Sequence, residues 1–145
     1  MAHNRIQSKL ITLFSLLLTI LFVYTAVSKL IRLDSFEFRL ERMPYISSYA
    51  SLISWAVPFL ELVISGLLWF SRYRTIALYA SFVLLGCFTG YITLVLKYSD
   101  SVPCSCGGVI SALGWKDHIL LNISFMVLAF LGILWSKKRY NMQTH

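Results

Sequence analysis

Charged residues are scarce in this chain, and acidic residues are the scarcest. Asp, Glu, Lys and Arg together make up 13% of the 145 residues, and only 6 residues are acidic. A soluble domain usually has about a quarter of its residues charged, because its surface faces water. Here hydrophobic residues reach 58%, and the mean hydropathy is +0.73. The composition therefore excludes an ordinary soluble domain and predicts a membrane protein.

The charges are missing above all from four stretches, approximately residues 10–28, 51–70, 75–96 and 119–135. Each has about 17–22 residues, enough to cross a hydrocarbon core of roughly 30 Å as a helix. Lipid cannot satisfy backbone hydrogen bonds, so helices are expected rather than strands. The first stretch is also longer than the apolar core of a signal peptide. The sequence predicts an all-α, polytopic membrane protein, a four-transmembrane-helix bundle, with residues 1–145 as one domain.

The connection after the first stretch has an amphipathic start. Leu33, Phe36 and Leu40 recur at helical spacing among charged residues, and Met43 and Pro44 interrupt the pattern. This arrangement predicts a short interfacial helix after the first membrane helix.

The net charge of +7 comes from basic residues that flank the apolar stretches. In a membrane protein such residues set orientation and contact lipid headgroups, so no nucleic-acid partner is expected. If the N-terminus is cytoplasmic, the cytoplasmic side holds seven basic residues and the other side six. The short basic clusters at both termini and at Arg72 and Arg74 favour this orientation. It makes both termini cytoplasmic and places the connection between the third and fourth stretches outside.

Each apolar stretch also carries small or polar residues at helical spacing. In lipid such residues mark where helices approach each other, so we expect these stripes to face the interior of the bundle. The stripes are Thr12, Ser15, Thr19, Ala26 and Lys29; Ser54, Pro58, Glu61 and Ser65; Gly86, Gly90 and Thr93; and His118, Asn122, Ala129 and Gly132.

Glu61 lies about ten residues into the second stretch, near the predicted bilayer midplane. An acidic residue there costs about 2.5–3.5 kcal/mol to insert, so it must face inward, pair or stay protonated. Pro58, one turn earlier, frees a backbone carbonyl and bends the helix, which opens space beside Glu61. Two interpretations stand side by side: a proton relay or polar anchor for a quinone, and a structural hydrogen bond or salt bridge to Lys29.

The chain has only three cysteines, and two of them form the tripeptide Cys104-Ser105-Cys106 in the connection on the predicted outer side. Residues two apart can just meet the Cα separation of a disulfide, but the ring is small. Pro103 before the pair and Gly107-Gly108 after it suit a tight bend. A strained disulfide is easily reduced, which favours thiol–disulfide exchange, and an oxidised pair persists outside the cytoplasm.

Other interpretations of this pair are a structural bridge, unreactive thiols or half of a metal site. Zinc needs about four ligands and only His118 lies nearby, so no metal site is predicted. Cys87, in the middle of the third stretch, is expected to be a buried and inert small hydrophobe; the alternative is a buried partner of the outer pair.

His118 and Asn122 are four residues apart, on one face at the outer end of the fourth stretch. His118 at a helix start could hold a thiolate or donate a hydrogen bond to a quinone oxygen. The structural alternative is an interfacial histidine and a helix-packing amide.

These motifs together resemble a known family. The segments Tyr24-Thr25-Ala26-Val27-Ser28-Lys29-Leu30, Asp34-Ser35-Phe36 and Val57-Pro58-Phe59-Leu60-Glu61-Leu62 resemble the first two helices of DoxX-like membrane proteins. The sequence Cys104-Ser105-Cys106-Gly107 and the helix of Asn122 narrow the resemblance to the MauE branch, named for methylamine utilisation. In that family the cysteine motif often continues with an aromatic residue before glycine, whereas Gly107-Gly108 follows directly here.

The resemblance implies a redox-associated protein of the bacterial inner membrane that works with a periplasmic thioredoxin-like partner on disulfides of client proteins. The leading hypothesis is a thiol–disulfide electron carrier. In it Cys104 and Cys106 exchange with partner thiols, while an internal site takes a quinone or a proton. We expect Glu61, Lys29, His118 and Asn122 to shape that site, and Pro58, Gly107 and Gly108 to have structural roles.

Two alternatives remain from the sequence. One is a non-catalytic membrane subunit that docks or stabilises a redox partner, for example in methylamine dehydrogenase maturation. The other is a DoxX-type, quinone-linked oxidoreductase subunit whose cysteines are incidental. Quinone is the only cofactor candidate, and the lipid bilayer is the partner that every hypothesis shares.

The predicted orientation can be tested by thiol labelling of intact, mildly reduced cells with a membrane-impermeant maleimide. We expect the reagent to reach Cys104 or Cys106 and to spare Cys87, because only the outer connection is exposed to water outside the inner membrane. Labelling of the pair only after the inner membrane has been opened would overturn the orientation.

Overall fold

The computed structural model describes residues 2–98 and 114–143, and this part of the chain contains helices and no strand. The helices are α1 (Ala2–Ile31), α2 (Leu33–Glu41), α3 (Ala50–Trp69), α4 (Arg74–Tyr98) and α5 (Trp115–Gln143). One turn of 3₁₀-helix, Ser47–Tyr49, precedes α3.

Four helices are long and apolar enough to span a membrane, over Arg5–Ile31, Ser47–Trp69, Arg74–Tyr98 and Lys116–Lys138. The predicted all-α fold with four membrane helices is confirmed. The spans extend past most of the predicted ends because charged and aromatic residues continue the helices beyond the uncharged stretches. Only Phe70, the last residue of the second predicted stretch, falls outside its helix.

The predicted short helix after the first membrane helix is present as α2. Its Leu40 is buried, and the chain bends after Arg42, where Met43 is also buried. Tyr45 has a φ of 72°, a left-handed conformation that costs about 1–2 kcal/mol in a residue with a side chain. The Tyr91 hydroxyl donates a hydrogen bond of 2.8 Å to the carbonyl oxygen of Pro44, which ties this bend to α4.

The helices pack as a ring, with α1 against α3, α3 against α4, α4 against α5, and α5 against α1. The most tightly buried apolar side chains come from all four long helices and include Leu18, Phe22, Leu68 and Leu78. They lie from the middle of the bundle toward the end that holds the α3–α4 turn. The opposite end, where α2 lies, is less tightly filled and contains a cavity.

The predicted polar stripe of α3 is confirmed, since Ser54, Pro58, Glu61 and Ser65 are all buried. On α5, Asn122, Ala129 and Gly132 are buried as well.

The prediction for the third stretch was wrong, because Gly90 and Thr93 are exposed on α4 and the buried small polar residue there is Ser81. Thr93 donates its hydroxyl to the Thr89 carbonyl oxygen at 2.7 Å. A hydroxyl satisfied by its own helix can face lipid without an unpaired polar group.

Candidate functional site

A buried ion pair joins α1 to α3. The Lys29 Nζ donates a hydrogen bond of 2.5 Å to Glu61 Oε1. The Glu61 side chain is 2% exposed and the Lys29 side chain 23% exposed. Lys29 lies in the last turn of α1, where a positive charge is favourable, and Glu61 follows Pro58 by one turn of α3. The salt bridge that the sequence allowed is therefore present.

This ion pair lies in the wall of a cavity of about 340 Å³ at the α2 end of the bundle. Most of the lining is apolar, with contributions from all five helices. The polar side chains in the wall include Lys29, Glu61, His118 and Asn122. The structure thus brings together all four residues that the sequence assigned to an internal site, from three different helices. Pro58 is fully buried in α3 and is not part of the wall.

Three buried polar atoms of this wall have no hydrogen-bond partner within the described part of the chain: Glu61 Oε2, His118 Nδ1 and Asn122 Nδ2. Thr25 lies beside the Glu61 carboxylate, but its hydroxyl donates to the Phe22 carbonyl oxygen at 3.2 Å. A buried polar atom left unpaired costs about 1–3 kcal/mol. Three of them around one cavity indicate a site for a molecule that both accepts and donates hydrogen bonds.

The chemical capacity of the cavity follows from these side chains. The Lys29 ammonium and the Asn122 amide nitrogen can donate to a carbonyl oxygen, and Glu61 Oε2 can accept from a hydroxyl. His118 can do either, depending on its tautomer. Glu61 is also able to exchange a proton with a bound molecule, since one of its oxygens is free of the ion pair.

Cys87 differs from its prediction. It is exposed, and it lies in the wall of the same cavity. The expectation that it is buried was wrong, because an apolar stretch of a membrane helix has both protein-facing and lipid-facing positions. Hydropathy alone does not distinguish the two.

Cys104 and Cys106, with Pro103, Gly107 and Gly108, lie outside the described residues. The segment 99–113 that holds them joins the end of α4 at Tyr98 to the start of α5 at Trp115. Both flanking helices supply cavity residues: Tyr91 and Ile92 lie seven and six residues before the end of α4, and His118 lies three residues after the start of α5.

Sequence reasoning missed four polar residues of the wall, namely Thr25, Ser28, Arg39 and Tyr91. Arg39 is on the charged side of α2, where a solvent-exposed position was the simpler interpretation. Tyr91 offered a signal, because a phenol seven residues inside a membrane helix needs a hydrogen-bond partner. Within residues 2–98 and 114–143, His, Cys, Asp and Glu side chains form no group of three that could hold a metal ion.

The fold and the site together define a small multi-pass membrane protein with a polar cavity between its helices. The family model for methylamine utilisation protein MauE matches residues 7–135, which include every residue of the cavity wall and the outer cysteine pair. The chain belongs to the MauE family. Searches of curated proteins and of solved structures found no match.

The ion pair makes a prediction about stability. Lys29→Met leaves the Glu61 carboxylate buried without its partner, so we expect a loss of about 3 kcal/mol in the free energy of unfolding. Adding Glu61→Gln should recover most of this loss, because the amide carries no charge. Thermal unfolding in detergent, followed by circular dichroism, measures both effects.

The matched control is Lys97→Met, which removes an exposed lysine at the end of α4 and should leave the stability unchanged. If Lys29→Met is as stable as the wild type, the ion pair does not hold α1 against α3.

Proposed function

We propose that this protein passes electrons between thiols outside the inner membrane of a bacterium and a quinone in the bilayer. Membership of the MauE family implies a role in methylamine utilisation. In our proposal Cys104 and Cys106 exchange disulfides with a thioredoxin-like partner or with client proteins. The quinone head binds in the cavity beside Glu61. Both termini are then cytoplasmic and the cysteine pair is extracytoplasmic.

The observation that supports this function best is the cavity with its unpaired polar atoms. A helix-packing role for Glu61, His118 and Asn122 would leave them mutually satisfied, whereas each keeps an unpartnered atom at a single cavity. A quinone head has two carbonyl oxygens, which match the Lys29 ammonium and the Asn122 amide as donors. The hydroquinone has two hydroxyls, one of which matches Glu61 Oε2.

The two half-reactions balance. Oxidation of the Cys104 and Cys106 thiols to a disulfide forms one S–S bond and releases two electrons and two protons. Reduction of a quinone to a hydroquinone consumes two electrons and two protons. The reverse reaction balances in the same way, so the cysteine pair and the quinone need no further redox partner.

The cavity residues have separate roles in this proposal. Lys29 holds one oxygen of Glu61, so that Oε2 is directed to the ligand. Glu61 exchanges a proton with a ring oxygen. His118, in the first turn of α5, contributes to the cavity wall at the start of the helix that follows the cysteine segment in the chain, and Asn122 orients the ring one turn deeper.

The cysteine pair is tested by serine substitution. Cys104→Ser and Cys106→Ser should each lower the rate of thiol-dependent quinone reduction at least about 100-fold, and the double variant should be no worse, as expected of residues that act as one unit. The assay uses proteoliposomes, a reduced thioredoxin-fold protein as electron donor and decylubiquinone as acceptor. Wild-type rates in the double variant would contradict the proposal and favour a docking subunit or a quinone-linked subunit with incidental cysteines.

Glu61 is tested by two substitutions that separate chemistry from structure. Glu61→Gln keeps the size and hydrogen-bonding capacity of the side chain but removes its exchangeable proton, so we expect a folded protein with at least about tenfold slower quinone turnover. Glu61→Leu should lose both stability and turnover, because Lys29 is left without a partner. If Glu61→Gln turns over at the wild-type rate and only Glu61→Leu fails, the role of Glu61 is structural.

A further inference from the structure

The geometry points to an entrance of the cavity in the side of the bundle, at Cys87, through which a lipid-soluble quinone passes from the bilayer core with its head toward Glu61. This inference rests on the proposed function, because it concerns the route and the ligand class of the same cavity. It is based on three features: the two faces of α4 that meet at Cys87, the depth of Cys87, and the size of the cavity.

The first face of α4 is exposed. At about 3.6 residues per turn, positions separated by three, four, seven or eleven residues lie on one side of a helix. Exposed residues follow this spacing along α4, and Cys87 lies in the middle of the row, which consists of Ile76, Tyr79, Val83, Cys87, Gly90 and Leu94. In a spanning helix this exposed row faces the bilayer.

The second face of α4 lines the cavity. Besides Cys87, it consists of Leu85, Phe88, Tyr91 and Ile92. Cys87 is the one residue of α4 that belongs both to the exposed row and to the described cavity wall. The wall of the cavity therefore reaches the lipid-facing surface at this residue. Gly90, one turn away, has no side chain. The space beside it is open, since a Cβ placed on it would meet no atom within 4 Å.

The depth of Cys87 decides which molecules can use this entrance. Cys87 lies eleven residues before Tyr98 at the end of α4, and Glu61 lies eleven residues after Ala50 at the start of α3. At 1.5 Å per residue, each is roughly 16 Å from that helix end, near the middle of a hydrocarbon core of about 30 Å. An opening at this depth admits molecules dissolved in the bilayer.

The α2 end of the cavity is covered by protein. Phe36, Leu40 and Met43 form this part of the wall, and the hydrogen bond from Tyr91 to Pro44 holds the bend after α2 against α4. A ligand that entered from water would have to displace this cover, whereas a ligand from the bilayer passes Cys87.

The size and the polar groups of the cavity identify the ligand class. About 340 Å³ is at the low end of ligand cavities, which range from roughly 300 to 1,000 Å³. This volume holds a substituted ring, so an isoprenoid tail must extend into the bilayer.

The test compares two tryptophan substitutions on α4. Cys87→Trp fills the entrance and should weaken binding of decylubiquinone to the protein in nanodiscs at least tenfold. Val83→Trp, one turn away on the same exposed row but outside the cavity wall, is the matched control and should bind within twofold of the wild type. Circular dichroism spectra and unfolding temperatures establish that both variants fold.

A second measurement uses the wild-type protein and needs no substitution at the entrance. An alkyl maleimide delivered through the bilayer should modify Cys87, and bound decylubiquinone should slow this modification at least fivefold, measured by mass spectrometry of the peptide. Equal binding by Cys87→Trp and wild type, or modification that decylubiquinone does not slow, would overturn the lateral entrance and leave the proposed function standing. Failure of decylubiquinone to bind the wild-type protein would overturn the quinone acceptor itself, and the entrance with it.

Discussion

The structure of this protein depends on one constraint, a carboxylate placed near the middle of a membrane. Glu61 cannot remain charged in lipid unless a cation reaches it, and Lys29 does so from the last turn of α1. The pair fixes α1 against α3 at that depth, so these two helices must keep a polar face toward each other. The Lys29 ammonium also lies over two aromatic rings. The ring centroids of Phe36 and Phe88 are 5.9 Å and 5.6 Å from its nitrogen. The position of α2 is thereby coupled to the ion pair.

The bundle is divided by this arrangement into two parts with different packing. Toward the α3–α4 turn, apolar side chains such as Leu68 and Leu78 fill the interior, and Gly132 allows α5 to approach Leu78 closely. Toward α2, the polar side chains hold the helices around a cavity instead of a packed core. A rigid packed part next to an open polar part is what a ligand site on a small bundle needs, since the packed part keeps the polar groups in place.

Much of the fold was predictable from the sequence because the cost of charge in lipid acts directly on composition. The four spans follow from that cost, whereas α2 follows from its amphipathic spacing, and the pairing of Lys29 with Glu61 was one of two interpretations of the acidic residue. The cavity wall was predicted only in part: Glu61 was identified by its cost in lipid, Lys29 as its possible partner, and His118 and Asn122 by their position on one helix face. Cys87 and the exposed row of α4 were misjudged, because protein and lipid are equally apolar surroundings and hydropathy does not separate them. Arg39 enters the wall because α2 folds over the bundle, a long-range arrangement that local spacing does not encode, whereas Tyr91 could have been identified as a phenol inside a membrane helix.

The unpaired atoms of the cavity connect stability to function. Glu61 Oε2, His118 Nδ1 and Asn122 Nδ2 would each lower the stability by about 1–3 kcal/mol if they stayed unpaired, and apolar residues would fill the same space without this cost. A ligand that pairs with them recovers that energy on binding, and the side chains need no rearrangement because the ion pair and the helices already hold them. The same groups therefore reduce the stability of the empty bundle and would increase its affinity for the quinone that we propose. An opening at Cys87 adds the remaining requirement, since a site this deep in the bilayer is useful only to a ligand that can reach it from the lipid.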